Sequence, residues 1–239
     1  MLNPHYTYCF LDFETTWLSY ERDDIIQVGL IITNSQLQIL NHYSSFINPG
    51  YEIEQLKTIV SYTTGISIDQ ITSGISLDEF VSKMQELIPQ DAIFIGQNIQ
   101  FDLTFLHKYV ATQATSSSNV MKYEAWSIDT LDWAKALIHY PSSYSLDVLY
   151  PIVRERLGSD YFISLASSVW LQDIQNHDAL SDCLICIGLM HYFLQRIQSI
   201  VSSFPSSIKV IAEPSLDRIR NPLLPSINTM VASVFFILR

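Results

Sequence analysis

The sequence predicts an α/β fold in which a mixed five-stranded sheet is flanked by helices. Three segments rich in apolar residues lie close together near the N-terminus, at residues 8–13, 25–33 and 37–47. Two further apolar segments, at 92–95 and 125–128, alternate with longer segments of helical periodicity. Hydrophobic residues make up 48% of the 239 and charged residues 15%, which is the composition of a chain that buries a sizeable core.

The first three segments predict an antiparallel meander, because the connection at residues 34–36 is short. The strand–helix alternation that follows predicts parallel strands on the same sheet. Ser76, followed by Glu79, predicts a capping box at the start of a helix. Further helices are predicted after Gly96 and over residues 130–138, 145–157 and 179–200, with a polar loop over 113–124.

The composition changes after Ile200. Residues 201–239 contain four prolines and carry four basic against two acidic residues, which leaves nine basic and 22 acidic residues in the preceding part. We therefore predict one domain over residues 1–200 and a C-terminal tail over 201–239. The tail is expected to dock either onto the domain itself or onto a partner protein.

The net charge of −11 argues against a protein that binds nucleic acid through a basic surface. The argument is weaker for a protein that holds phosphates through divalent cations, since acidic ligands are then required. Three cysteines are too few for a disulfide framework, and Cys183 and Cys186 are expected to pack inside a helix. We find no secretory signal and expect no membrane association, so a cytoplasmic location is expected.

Asp12 and Glu14 lie near the end of the first apolar segment, in Phe10-Leu11-Asp12-Phe13-Glu14. Strand alternation places both carboxylates on one face of the sheet. Two carboxylates at the end of a buried strand repel each other and lose hydration, and a divalent cation removes both costs. An acidic edge strand without a metal is the alternative.

Two more acidic motifs occur at predicted helix starts. Asp102 follows Gly96-Gln97-Asn98 by four residues, and Asp182 follows His177 by five. An aspartate at a helix N-terminus is commonly a partner of the helix dipole, and a single histidine is commonly structural. A histidine that titrates near neutral pH is also suited to deprotonating a water molecule.

Together, these three segments resemble the Exo I, Exo II and Exo III motifs of the DnaQ-like exonuclease superfamily, which includes the epsilon type of DNA polymerase III subunit. The four carboxylates and the histidine of its DEDDh branch are matched by Asp12, Glu14, Asp102, Asp182 and His177. The resemblance covers residues 6–198 and implies an RNase H-like fold. Relatives with a tyrosine four residues before the last aspartate are less similar.

The resemblance also implies the role of each residue. Asp12 would bridge two Mg²⁺ or Mn²⁺ ions, with Glu14 and Asp182 completing one site and Asp102 supporting the other. His177 would take the proton of the attacking water. Contacts to the 3′-terminal nucleotide are expected from Thr15 and Thr16 through their backbone amides, and from Asn98 and Phe101.

Two positions depart from the family pattern. Gln97 stands where a histidine is common, and it is expected to adjust positioning through a hydrogen bond. Trp17 stands where a glycine is common; it is expected either to stack on a base of the substrate or to pack its loop, and loop packing is favoured. The neighbouring pair Asp23 and Asp24 is expected to form a solvated turn.

The predicted activity is a metal-dependent 3′→5′ exonuclease that releases nucleoside 5′-monophosphates from single-stranded DNA, in proofreading, repair or end trimming. Trimming of RNA is the alternative within the same chemistry. A catalytically idle interaction module is a third possibility, although all five motif positions are filled. The expected partners are a DNA or RNA 3′ end and, through the tail, a polymerase or another protein.

Overall fold

The computed structural model describes residues 2–60, 65–113, 126–175 and 177–203. Its strands form one mixed sheet in the order β4-β3-β2-β1-β5-β6. They are β1 (Tyr8–Thr15), β2 (Ile25–Thr33), β3 (Ile39–Asn48), β4 (Ile75–Ser76), β5 (Ile93–Gly96) and β6 (Trp126–Asp129). The antiparallel meander and both parallel strands are confirmed. The sheet has six strands rather than the predicted five, because Ile75 and Ser76 pair with the end of β3. This two-residue strand is too short to produce a pattern in the sequence.

Helices cover both faces of this sheet. They are α1 (Ile53–Val60), α2 (Ile68–Thr72), α3 (Leu77–Leu87), α4 (Gln100–Gln113), α5 (Thr130–Leu137), α6 (Leu146–Leu157), α7 (Ser159–Ser168) and α8 (Ala179–Ser202). The five predicted helices are all present, and α1, α2 and α7 are additional. Ser76 accepts a hydrogen bond from the Glu79 amide at 3.2 Å, which is half of the predicted capping box.

The alternation of β1 divides the core into two layers. Tyr8 and Phe10 pack with β5, β6 and helices α5 to α8 on one face. Leu11 and Phe13 pack with α3 and α4 on the other. Every residue of β2 is buried, as expected for a central strand covered on both faces. Because β1, β5 and β6 are parallel, their carboxyl ends meet at one edge of the sheet, where α4 and α5 begin.

Helix α8 lies across β1 and β2. Its length and its mean hydropathy of 1.3 would suffice to span a membrane, and among the described helices it alone meets that test. However, 12 consecutive residues from Ala179 to Met190 are buried against the protein, which is the environment of a core helix. Cys183 and Cys186 are among them as free thiols, which confirms their predicted packing role.

The predicted domain boundary falls in the last turn of α8, which ends at Ser202. Residues 204–239 of the tail lie outside the described residues, as does the predicted polar loop at 114–125. The division into a domain and a tail therefore stays a prediction.

Candidate active site

Three carboxylates meet at the end of β1. One oxygen each of Asp12, Glu14 and Asp182 lies within 4.8 Å of the others. Asp12 and Glu14 share one face of β1, as the strand alternation predicted, and α8 places Asp182 opposite them. The Oδ1 atom of Asp182 is buried without a hydrogen-bond partner, one of three such side-chain atoms among the described residues. An unpartnered buried carboxylate oxygen beside two further carboxylates fits a hard divalent cation, which takes oxygen ligands.

Two residues of β2 hold the N-terminus of α8 at this position. Gln27 is only 3% exposed; its amide donates to Asp178 Oδ1 at 2.7 Å, and its carbonyl oxygen accepts from the Ala179 amide at 3.3 Å. Gly29 pairs with Asp12 across the sheet. A Cβ atom at Gly29 would lie 2.2 Å from the Ala179 backbone, so glycine is what allows the helix to approach.

Asp178 caps α8 by accepting a hydrogen bond from the Ser181 amide at 3.0 Å. This cap starts the helix four residues before Asp182, and Gln27 attaches the same cap to the sheet. Sequence analysis overlooked Gln27 and Gly29. The available signal was a polar residue and a glycine inside the otherwise apolar segment 25–33.

Asp102 lies beside this group rather than in it. It is 3% exposed, and its Oδ1 accepts a hydrogen bond from the Phe13 amide at 2.9 Å. This bond joins the start of α4 to the strand that carries Asp12 and Glu14. The structure thus places the fourth motif carboxylate next to the other three, with one of its two oxygens already engaged.

Burial and mutual repulsion raise the pKa values of the carboxyl groups at this site. Burial, followed by Glu14 and Asp178, raises the pKa of Asp12 to about 8. Burial and the charges of Asp12 and Glu14 raise the pKa of Asp182 to about 9. Burial and the charge of Asp12 also raise the pKa of Asp102. Such shifts are typical of sites in which a bound cation offsets the negative charge.

His177 lies on the solvent side of the acidic group. Its backbone has a φ of 59°, an uncommon conformation for a residue other than glycine. Burial raises the pKa of Glu14, and the nearby His177 imidazole opposes that rise. The Nε2 atom lies 3.6 Å from Asp147 Oδ2, with both side chains about half exposed. Asp147, in the first turn of α6, is a neighbour that sequence analysis did not identify.

The residues that were predicted to contact the 3′-terminal nucleotide differ in their hydrogen bonds and in their exposure. The amide of Thr16 donates to the Asp24 carbonyl at 2.8 Å, so it is engaged within the protein and its predicted nucleotide contact is not supported. Thr15, the last residue of β1, directs its hydroxyl to the Trp17 carbonyl at 2.6 Å. Trp17 itself is 54% exposed, and the choice between base stacking and loop packing stays a prediction.

The second motif is held by its neighbours at the end of β5. Gln97 donates to the Tyr144 carbonyl at 2.6 Å and accepts from the Thr130 hydroxyl at 2.7 Å. Its amide group therefore joins three segments, which is the positioning role that was expected. Asn98 is exposed with a φ of 56°, and its backbone N–H donates to Asp129 Oδ1 at 2.9 Å.

Phe101 stands half-buried at the start of α4, with its ring centroid 5.0 Å from that of Phe105. Part of this ring is accessible one residue before Asp102. Asn98 is exposed and Phe101 is partly buried at this edge, and their contacts with a nucleotide stay predictions.

The chain was compared with known proteins. The family model described as Exonuclease (RNase T) matches residues 9–190. The PolC-type DNA polymerase III of Thermotoga maritima is 28% identical over 194 residues, 81% of this chain and 12% of the polymerase. The 3′-5′ exonuclease DinG of Staphylococcus aureus is 29% identical over 143 residues, 60% of this chain and 15% of DinG. The chain thus spans less than a sixth of the length of these two relatives.

The fold is similar to that of E. coli Exonuclease I solved in complex with a dT13 oligonucleotide. The TM-score is 0.56 at 17% identity, covering 82% of this chain and 43% of that protein. The α/β fold with a mixed sheet is therefore shared with a nuclease of known structure. With the family match over most of the described residues and the acidic group at the end of β1, the chain belongs to the RNase T family of exonucleases.

Proposed function

We propose that the protein is a metal-dependent 3′→5′ exonuclease that releases nucleoside 5′-monophosphates from the 3′ ends of single-stranded DNA. One observation carries the proposal: Asp12, Glu14 and Asp182 converge within 4.8 Å, and a buried oxygen of Asp182 has no partner in the protein. The names of the relatives, 3′-5′ exonuclease DinG and PolC-type DNA polymerase III, support the reaction and its direction. Exonuclease I, which was solved with an oligonucleotide, supports the substrate class.

The metal stoichiometry and identity are part of the proposal. Two divalent ions, Mg²⁺ or Mn²⁺, would stabilise the attacking and leaving oxygens and lower the pKa of the attacking water. Asp12, Glu14 and Asp182 would hold one of them. Asp12 would be shared with the second, which Asp102 supports through the oxygen that Phe13 leaves free.

His177 is proposed as the general base. It is half exposed, beside Glu14, and its position at the rim lets a proton pass from the site to solvent. Asp147 Oδ2 lies 3.6 Å from the Nε2 atom of the imidazole and would orient the ring.

The test uses 5′-labelled single-stranded DNA and RNA of the same sequence, incubated with Mg²⁺, Mn²⁺ or EDTA. We expect a ladder that shortens from the 3′ end, nucleoside 5′-monophosphates as products, and no reaction in EDTA. The Asp12→Ala variant serves as the control for a contaminating nuclease. The absence of shortening with both metals and both substrates would refute the proposal. Faster cleavage of RNA would instead assign the site to RNA trimming.

Residues 201–239 are proposed as a docking segment for a polymerase or another protein. The support is the reversed charge of this tail and the similarity of 194 residues of the whole chain to 12% of the PolC-type DNA polymerase III of Thermotoga maritima. The test is co-elution of the full chain with the purified replicative polymerase of the organism that encodes this protein. A shortened chain that ends at Ser203 should lose co-elution while keeping nuclease activity, and unchanged co-elution would refute the assignment.

A further inference from the structure

Asp24, expected from the sequence to lie in a solvated turn, instead binds three donors, two on α4 and one just before α1. Its Oδ1 accepts from Lys108 Nζ at 2.6 Å and from the Tyr109 hydroxyl at 2.5 Å. Its Oδ2 accepts from the Tyr51 hydroxyl. The side chain is only 17% exposed. Burial opposes the charge of Asp24, but the hydrogen bonds of Lys108 and the two tyrosines outweigh it and lower the pKa. The carboxylate is therefore charged and fixed at neutral pH.

The same residue closes the loop that connects β1 and β2. The Thr16 amide donates to the Asp24 carbonyl at 2.8 Å, and the Asp24 amide donates to Thr16 Oγ1 at 3.0 Å. Inside the loop, Asp23 accepts from the Ser19 amide at 2.8 Å, and Lys108 also donates to the Asp23 carbonyl at 2.7 Å. We refer to residues 16–24 as the aromatic loop.

The closed loop presents large apolar side chains to solvent. Trp17 is 54% exposed, Leu18 74% and Tyr20 46%. The first of them is three residues from Glu14, so this apolar surface adjoins the acidic group. Aromatic side chains held rigidly beside a cleavage site provide a stacking surface for unpaired bases.

The position of this surface relative to the acidic group is set through α4. Near its start, the helix is bonded to β1 by Asp102, which accepts from the Phe13 amide at 2.9 Å. Two turns later, Lys108 and Tyr109 hold Asp24. The Tyr109 ring also packs edge-on against Phe80 at 6.0 Å. One rigid helix therefore fixes both the strand of the carboxylates and the loop beside it.

We propose that Asp24 is a positioning residue for the nucleic-acid substrate: it holds the aromatic loop at a fixed distance from the acidic group, so that bases stacked on the loop bring the 3′-terminal phosphodiester into the site. This inference rests on the proposed exonuclease function. Among the described contacts, Lys108 is the one basic residue of a helix that binds the loop, and the inference assigns it to loop attachment rather than to phosphate binding.

The central test compares Asp24→Asn with the wild-type protein on a single-stranded oligo-dT. We expect KM to rise about tenfold and kcat to change by less than about threefold, because loosening the loop misplaces the substrate and leaves the carboxylates intact. The increase in Tm on adding Mn²⁺ should be unchanged for the same reason. The control is Glu86→Gln, which removes an exposed carboxylate paired with Lys83 at 2.8 Å on α3 and should leave KM unaltered.

Two further measurements separate positioning from a general loss of stability. Arg22 lies within the loop and is exposed, so trypsin should cleave after it faster in Asp24→Asn than in the wild type. In a double-mutant cycle, Trp17→Ala should raise KM strongly in the wild type and little in Asp24→Asn, because both changes act through one surface. If Asp24→Asn fails to fold, Tyr109→Phe removes one of the three donors and should shift KM in the same direction by a smaller factor.

A lower Tm with an unchanged KM, or additive effects of Trp17→Ala and Asp24→Asn, would overturn the inference and leave Asp24 with a purely structural role. The proposed function would stand in that case, because the wild type would still shorten the oligonucleotide. If the wild type degrades no nucleic acid with either metal, the proposed function and this inference fail together.

Discussion

Replacing Asp12 by asparagine should stabilise the metal-free protein and abolish its nuclease activity. The pKa of Asp12 is raised from 3.8 to about 8, so the folded state binds this proton more tightly than the unfolded chain. Below pH 3.8 both states are protonated and the group has no effect on stability. Between pH 4 and pH 8 ionisation increasingly destabilises the folded state, by roughly 4 kcal/mol at pH 7 and roughly 2 kcal/mol at pH 5. Part of this free-energy cost is repulsion from neighbouring carboxylates, which can take up protons themselves and so reduce the part that depends on Asp12 alone.

Thermal unfolding in EDTA at pH 5 and pH 8 measures the effect. Allowing for the shared part, we expect Asp12→Asn to raise Tm by roughly 5 °C at pH 8 and by about 2 °C at pH 5. Adding Mn²⁺ should raise Tm of the wild type and leave that of the variant unchanged, since binding to the folded state alone stabilises it. Glu86→Gln, at an exposed surface pair, is the matched control.

Two outcomes would refute this reasoning. A lower Tm of Asp12→Asn at both pH values would mean that the carboxylate stabilises the folded state instead of destabilising it. An increase of the same size at pH 5 and pH 8 would mean that ionisation of Asp12 is not the source. In either case, the repulsion between the carboxylates would not be the reason why a cation binds at this site.

Three further variants test other parts of the site. His177→Ala should lower kcat by roughly 10²-fold or more while the Mn²⁺-dependent rise in Tm persists; loss of both would make His177 a structural or ligating residue. Gly29→Ala should destabilise the protein by about 3 kcal/mol, since its Cβ would lie 2.2 Å from the Ala179 backbone, and an unchanged urea midpoint would contradict that contact. Trp17→Ala should raise KM for an oligonucleotide about tenfold, and an equal KM would exclude stacking on this ring.

The fold and the shared face of Asp12 and Glu14 were predictable because each depends on a local pattern, whereas Asp102 and Asp182 were identified through the order of the three motifs and the family resemblance. Apolar segments that alternate with helical periodicity specified five strands and five helices, and strand alternation placed Asp12 and Glu14 on one face. The two-residue β4 and the five-residue α2 could not be predicted in the same way. Elements of that length are formed by pairing and packing with the rest of the chain, and their own sequence contains no full period.

The environments of individual polar residues were less predictable. Two adjacent aspartates such as Asp23 and Asp24 are typical of a solvated turn. The carboxylate of Asp24 instead accepts hydrogen bonds from Tyr51, Lys108 and Tyr109, which are 27 to 85 residues away along the chain. Trp17 was expected to pack its loop, and 54% of its surface is exposed. In both cases the outcome depends on which distant segment lies next to the loop, and a single sequence does not contain that information.

The acidic site is built by a close approach of backbone segments as much as by its ligands. Asp182 reaches Asp12 only because α8 lies directly on Gly29, and the helix starts at that point because Gln27 binds its capping residue Asp178. Gln27 stands opposite Glu14 on the sheet, so one buried amide attaches the helix of one ligand to the strand of the other two. A fixed spacing of carboxylates that repel one another stores an electrostatic cost in the folded state. That cost is the physical reason why the site should bind divalent cations, and why removing Asp12 should stabilise the protein in their absence.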